Sequence, residues 1–409
     1  MRAYERFLNY IRIHTTSSAD SGTHPSFEGE WELARLLAAE LAELGLGQVH
    51  VDEHCYVYAK LPASPGCENA PAIGFLSHMD TSDEAFGKNV HAFLHENYDG
   101  GDCVLPGSRK VLSPKRFPFL KNCIGETLIT SDGMTLLGAD DKAGIAEIMT
   151  ALEELLKGDL PHGPVSIAFT PDEEIGEGTE FFDLGRFGAQ FAYTVDGGDV
   201  NCVEYENFNA ASADVQIRGQ SAHPGDAKGI MRNASKLAME FHALLPAEEC
   251  PECTEGREGF FHLAEMTGRV AEAELHYLIR DHDRTRFEQR KLQMQAAADE
   301  MNRRYGAGTV SLGVCDSYYN MLEKILPHPH LIKNAETAIR KAGMEPVTVP
   351  VRGGTDGARL SFMGLPCPNL GTGGFNFHGE YECITAERMD RAVQVILNLI
   401  DLYRTELTD

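Results

Sequence analysis

Two histidines and several acids stand in this chain where metal-ligand chemistry could use them. His78 and Asp80 lie two apart, just after the apolar run Ala72-Ile-Gly-Phe-Leu76. On a strand, that spacing turns both side chains to one side. A neutral imidazole is a good zinc ligand, and a nearby carboxylate can fix its orientation. Asp140 and Asp141 occupy a glycine-flanked turn directly before Ile145, Ile148, Met149 and Leu152, which recur at helical spacing. One of the two aspartates could cap that helix. A second carboxylate at the helix mouth suggests a cation site, with one carboxylate bridging two ions. Glu173 and Glu174 follow the apolar run Val165–Phe169 and project differently. One can bind metal while its neighbour takes a proton from a water beside it. Asp196 ends the run Phe191–Val195, and His378 lies in the glycine-rich stretch Gly373–Gly379. Taken singly, each has an ordinary explanation: a cap, a turn acid, a packed histidine. Together, two nitrogen donors and three carboxylates match a pair of divalent ions, most simply zinc.

Three short apolar runs must position these groups. Each ends in its acid or histidine, and a helix follows the aspartate pair. That alternation is the rhythm of an α/β domain whose working groups sit at the carboxyl ends of its strands. Near Phe208 the pattern changes. Ala213–Arg218 alternates as a half-exposed strand, a helix follows with Ile230, Ala234, Leu237, Ala238 and Phe241 on one face, and Phe260–Val270 and Ala273–Ile279 read as strands. A second helix gathers Phe287, Met294, Ala298, Met301 and Tyr305, and Val310–Val314 closes a βαββαβ set. The α/β pattern then resumes through a helix near Leu331–Ala342 and a last one carrying Met389, Val393, Ile396, Leu397 and Ile400. The expected organisation is one domain inserted in another: residues 208–318 inside a discontinuous domain of residues 1–207 and 319–409. Residues 81–133 form a long irregular excursion, of the kind that is functional or packed on a rigid scaffold.

At 409 residues the chain has room for two domains, and no apolar run approaches the length of a membrane span. With 36 basic against 62 acidic side chains, the net charge of -26 disfavours nucleic acid and anionic membrane as partners. The opening residues lack the pattern of a secretory leader. Ten scattered cysteines in so long a chain read as free thiols of a reducing cytoplasm. Cys250-Pro-Glu-Cys253 has no matching second pair and sits in a Pro/Glu-rich loop, which argues against a zinc knuckle.

Ser77–Asp80, Leu137–Lys142, Thr170–Glu174, Thr194–Gly198 and Phe377–Gly379 resemble the five metal and base motifs of the co-catalytic zinc exopeptidases related to glutamate carboxypeptidase and aminoacylase. Within that family the likeness to tripeptide aminopeptidases runs from end to end. It includes Glu206–Ser212, His276–Asp281, Asp316–Asn320 and Arg352–Gly357. The resemblance implies a mixed central sheet between helices, with the insert as a ferredoxin-like lid and dimerisation domain. It further implies two zinc ions per chain and removal of the amino-terminal residue from tripeptides. Asp140 would bridge the ions, His78 and Asp196 would complete one, and Glu174 and His378 the other. Glu173 would be the general base, and Asp80 would orient His78. His223 would steady the developing oxyanion, often across a homodimer in relatives. Arg352, Arg280 and Asn233 would hold substrate. A dipeptidase, a carboxypeptidase or an N-acyl amino acid deacylase on the same core stays open, as does a non-catalytic peptide-binding protein. The chain departs from the family after His378, where Gly379-Glu-Tyr-Glu382 replaces a basic pair before a glutamate.

Overall fold

The run at Ala72–Leu76 becomes strand β1 (Ile73–His78), buried at all positions, as is β2 (Val165–Thr170). β3 (Phe191–Gly197) is nearly as deep. Strands covered on both faces need no polar alternation, which is why these segments read as continuous apolar runs. The computed structural model describes residues 1–404. In it the three strands lie parallel in the order β2-β1-β3, with His78 level with Thr170. Their carboxyl ends therefore emerge side by side, where ligands of open α/β sheets bind.

The sheet is mixed and has eight strands. Val57–Leu61 runs antiparallel to β2 and pairs outward with Gly47–Val51. Beyond β3 lie Asn369–Gly371, parallel to it, then Cys202–Glu204 and Val347–Thr348. Helix α1 (Ala139–Lys157) packs its Ile145, Ile148, Met149 and Leu152 into the core. At Gly144 a Cβ would stand 1.9 Å from the Val195 carbonyl oxygen, so only glycine lets α1 lie this close to β3. The last helix, Ala386–Leu402, buries Met389, Val393, Ile396, Leu397 and Ile400 and packs against α1.

The irregular excursion is anchored by small sheets. Phe93–His95 and Cys383–Thr385 flank Leu128–Thr130, and Tyr98, Leu112, Leu120, Cys123, Leu128 and Cys383 share one apolar cluster. That cluster fixes the strand directly after His378–Glu382.

Contacts divide the chain into two units. The first comprises Met1–Tyr205, Glu323–Val349 and the described residues from Thr355 on; the second is Glu206–Leu322 with Pro350–Gly354. Residues 350–354, expected in the outer segment, pack with the second unit through both main-chain and side-chain contacts. Val351 N donates to Glu206 O at 2.8 Å, and the Val351 carbonyl faces His282 Nε2 at 3.1 Å.

The second unit contains β4 (Asn209–Arg218), α2 (Ala234–His242), β5 (Phe260–Gly268), β6 (Glu272–Asp281), α3 (Arg284–Tyr305) and β7 (Val310–Tyr318). All neighbours in its sheet are antiparallel, in the order β5-β6-β4-β7. Val215 and Ile217 of β4 face Leu237, Phe241, Phe287, Met294 and Met301 in one core. Ile230, expected on the α2 face, precedes the helix and is exposed, because Asn233 caps the helix three residues later. Phe241 is fully buried in this core. Phe241→Ala should lower stability by about 3–5 kcal/mol, read as a shifted denaturant midpoint.

Candidate metal centre

β1 carries His78 into the sheet's carboxyl edge with 2% of its side chain exposed. Its Nε2 lies 2.9 Å from Asp140 Oδ1 and 3.4 Å from Asp196 Oδ1. On the other side of Asp140, His378 Nε2 lies 3.2 Å from Oδ2 and 3.0 Å from Glu174 Oε2. Asp140 thus offers one oxygen to each histidine. Donor atoms of His78, Asp140 and Glu174 lie within 4.8 Å of one another, as do those of His78, Asp141 and Asp196.

Buried carboxylates hold the loops that bear these groups. Glu382 Oε2 accepts the N–H groups of Leu137 (2.6 Å) and Gly138 (2.8 Å), and its Oε1 accepts that of Asp140 (3.0 Å). Asp80 accepts from Glu173 N at 3.0 Å and Glu174 N at 3.1 Å, and its Oδ1 lies 3.2 Å from His78 Nδ1. Asp141 Oδ2 accepts from His78 N at 3.1 Å. Neither aspartate of the pair caps α1: both have non-helical backbone angles, and the N-cap is Gly138 at φ +81. The peptide between them is cis. The Asn369 side chain receives Asp196 N on Oδ1 and donates to Glu204 through Nδ2. Glu382 was noted in the sequence only as the acid closing the stretch after His378; its bonds to Leu137–Asp140 left no signal there. Its neighbour Glu380 forms an ion pair with Lys110, so the unusual acids after His378 are both engaged.

The electrostatics is that of too many acids for two imidazoles. Burial pushes Glu174 up to about 7 and Asp196 up to about 8, and raises Glu173 and Asp141 well above the usual carboxylate range. Asp140 goes the other way: burial acts against it, but hydrogen bonds from His378 and His78 outweigh that and hold it below its ordinary value. His378 rises to about 11 through its bonds to Asp140 and Glu174. Burial pulls His78 down, yet Asp196, Asp140 and Asp80 overcome it and hold it well above the usual imidazole value. Two buried oxygens, Glu174 Oε1 and Asp141 Oδ1, have no hydrogen-bond partner. Mixed nitrogen and oxygen donors, unsatisfied carboxylate atoms and crowded negative charge fit bound divalent cations.

The other residues named from the sequence belong to the second unit. Arg352 spans the carbonyls of Gly256, Glu258 and Thr254 and lies over the rings of Phe208 and Phe260. Arg280 donates to the carbonyls of Ala211 and Ile279. Asn233 Oδ1 caps α2 through Lys236 N. His223 is exposed, and its Nδ1 accepts from Gly225 N at 3.2 Å.

A family model described as the peptidase dimerisation domain matches residues 205–308. Peptidase T of Escherichia coli (strain SE11) is 54% identical over 404 residues, covering 97% of each chain. Among solved structures, the aminopeptidase PepT of Bacillus cereus ATCC 10987 has a TM-score of 0.77 at 22% identity, over 98% of this chain and 97% of that one. A tripeptidase of Staphylococcus aureus subsp. aureus mu50 has a TM-score of 0.78 at 22% identity, over 98% of both. Those two share the fold; the whole-length identity to the first relative carries more. The chain belongs to the peptidase T family and is an M20-type peptidase, a hydrolase.

Proposed function

We propose that the protein is a zinc aminopeptidase that removes the amino-terminal residue from tripeptides. The observation that carries this reading is Asp140 placed between two histidines, with Glu173 on the adjoining turn. His78 and Asp196 would hold one ion, Glu174 and His378 the other, and Asp140 both. Two zinc ions bound there would polarise the scissile carbonyl and acidify water.

Glu173 serves as general base, taking the proton of the attacking water and handing it to the leaving amine. Its carboxyl, raised by burial, suits a group that must hold a proton between those two events. Asp80 orients His78 and, through two N–H bonds, aims the Glu173–Glu174 turn. His223 donates to the developing oxyanion, and Arg352 recognises the peptide's terminal carboxylate. Arg280 and Asn233 would also help to hold substrate; like Arg352, each has partners in its own unit. The match to a peptidase dimerisation domain supports a homodimer through the inserted unit. Ten free thiols suit the reducing cytoplasm, and among the described residues no helix is long and apolar enough to cross a membrane.

Glu173→Gln should retain metal while kcat falls by about 10²–10⁴-fold, the usual worth of a positioned acid–base group. An active variant would remove Glu173 from this role. A free-amine tripeptide should be cleaved where its N-acetylated form and a dipeptide are not; equal cleavage of the acetylated peptide would favour a deacylase.

The raised ligand pKa values also set a pH dependence. Glu174 at about 7, Asp196 at about 8 and His378 at about 11 hold protons that a cation must displace. Apparent zinc affinity should therefore rise with pH from 6 to 8, with protons released on binding. Titration of chelator-stripped protein in weakly buffered solution checks both.

A further inference from the structure

His24 leaves only 8% of its side chain exposed, yet neither ring nitrogen makes a hydrogen bond. Buried polar atoms in that condition call for a partner. Nδ1 lies 3.0 Å from Asp172 Oδ2 and 3.8 Å from Glu177 Oε2. The nearer approach lies off the direction an N–H needs in order to donate, so it is proximity without a hydrogen bond. Donors sharing an ion behave this way. Each stands about 2.0–2.2 Å from the metal, so they are close to one another while aimed at the ion. One donor atom from each of the three residues falls within 4.8 Å of the others.

The surroundings hold this arrangement in place. Asp172 is fully buried; both its carboxylate oxygens accept from Ser26 N, at 3.0 and 2.8 Å, and its own N–H donates to Glu30 Oε2. The His24 ring is stacked on Tyr56 at 5.8 Å and met edge-on by Phe181 at 5.0 Å. Among the described residues, no lysine or arginine pairs with Asp172 or Glu177, whose only ion-pair neighbour is His24. The buried Glu30 adds a third carboxylate to the neighbourhood.

We infer that His24, Asp172 and Glu177 form a further divalent-cation site, sharing no residue with the centre, that takes one zinc ion. A nitrogen and two carboxylate oxygens suit zinc or cobalt, with water completing the coordination. The ion ties residues 24–26 to the turn 172–177. That turn bears Glu173 and Glu174, so the site's role is to brace it rather than to act on substrate.

The test is zinc content per chain after equilibration of chelator-stripped protein with micromolar zinc and removal of free metal. His24→Gln and Glu177→Ala should each carry one ion fewer than the parent chain, and zinc should raise their Tm less. Glu177 is half-exposed, so its variant keeps the reading available if His24→Gln does not fold. In an Asp140→Asn background, which disables the centre, one ion should remain and should vanish on adding Glu177→Ala. Equal zinc content in the parent and Glu177→Ala chains would overturn the site, whatever the fate of the central ions.

Discussion

Backbone N–H groups gripped by two buried carboxylates are the constraint on which the centre rests. Glu382 binds three of them across Leu137–Asp140, and Asp80 binds those of Glu173 and Glu174. Charge-assisted bonds of this kind are short and about twice as strong as neutral ones. They let a loop of acidic residues keep one conformation although its side chains repel. The sheet supplies the frame: β1, β2 and β3 end level with one another, so His78, the Glu173–Glu174 turn and Asp196 start from neighbouring strand ends. Asp140 arrives from the start of α1, and His378 from the segment ahead of Cys383–Thr385. Those two approaches require Glu382, because it joins them.

Crowding buried acids at one point is costly unless protons or cations neutralise them. Here burial raises four of the carboxyls, and only Asp140, flanked by both imidazoles, is pulled down. The fold thus creates a deficit of positive charge at one point and arranges nitrogen and oxygen donors around it. The same logic, on a smaller scale and with one histidine, applies around Asp172.

Much of this was legible in the sequence, for identifiable reasons. Fully buried strands write themselves as apolar runs, and the acids at their ends stand out because the runs stop there. The βαββαβ unit showed through the burial period of β4 and the helical faces of Phe241 and Phe287. The role of Glu382 was not legible, since its partners lie more than 240 residues away in the chain and are backbone atoms that carry no sequence signal. The aspartate pair misled for a related reason: an acid before a helix normally caps it, but here Gly138 takes that position and Asp141 turns to His78 N instead. Pro350–Gly354 joined the second unit through the Val351 main chain and the Arg352 side chain, long-range partners that residue patterning does not show.

Glu382 is the bracket that pre-sets Asp140. Glu382→Gln conserves shape but replaces one acceptor with a donor opposite the N–H groups. Zinc affinity measured by chelator competition should fall by roughly 10–100-fold, the usual effect of losing a ligand's supporting partner, with the circular dichroism spectrum unchanged. An affinity equal to that of the parent chain would contradict the claim that this carboxylate holds the centre together.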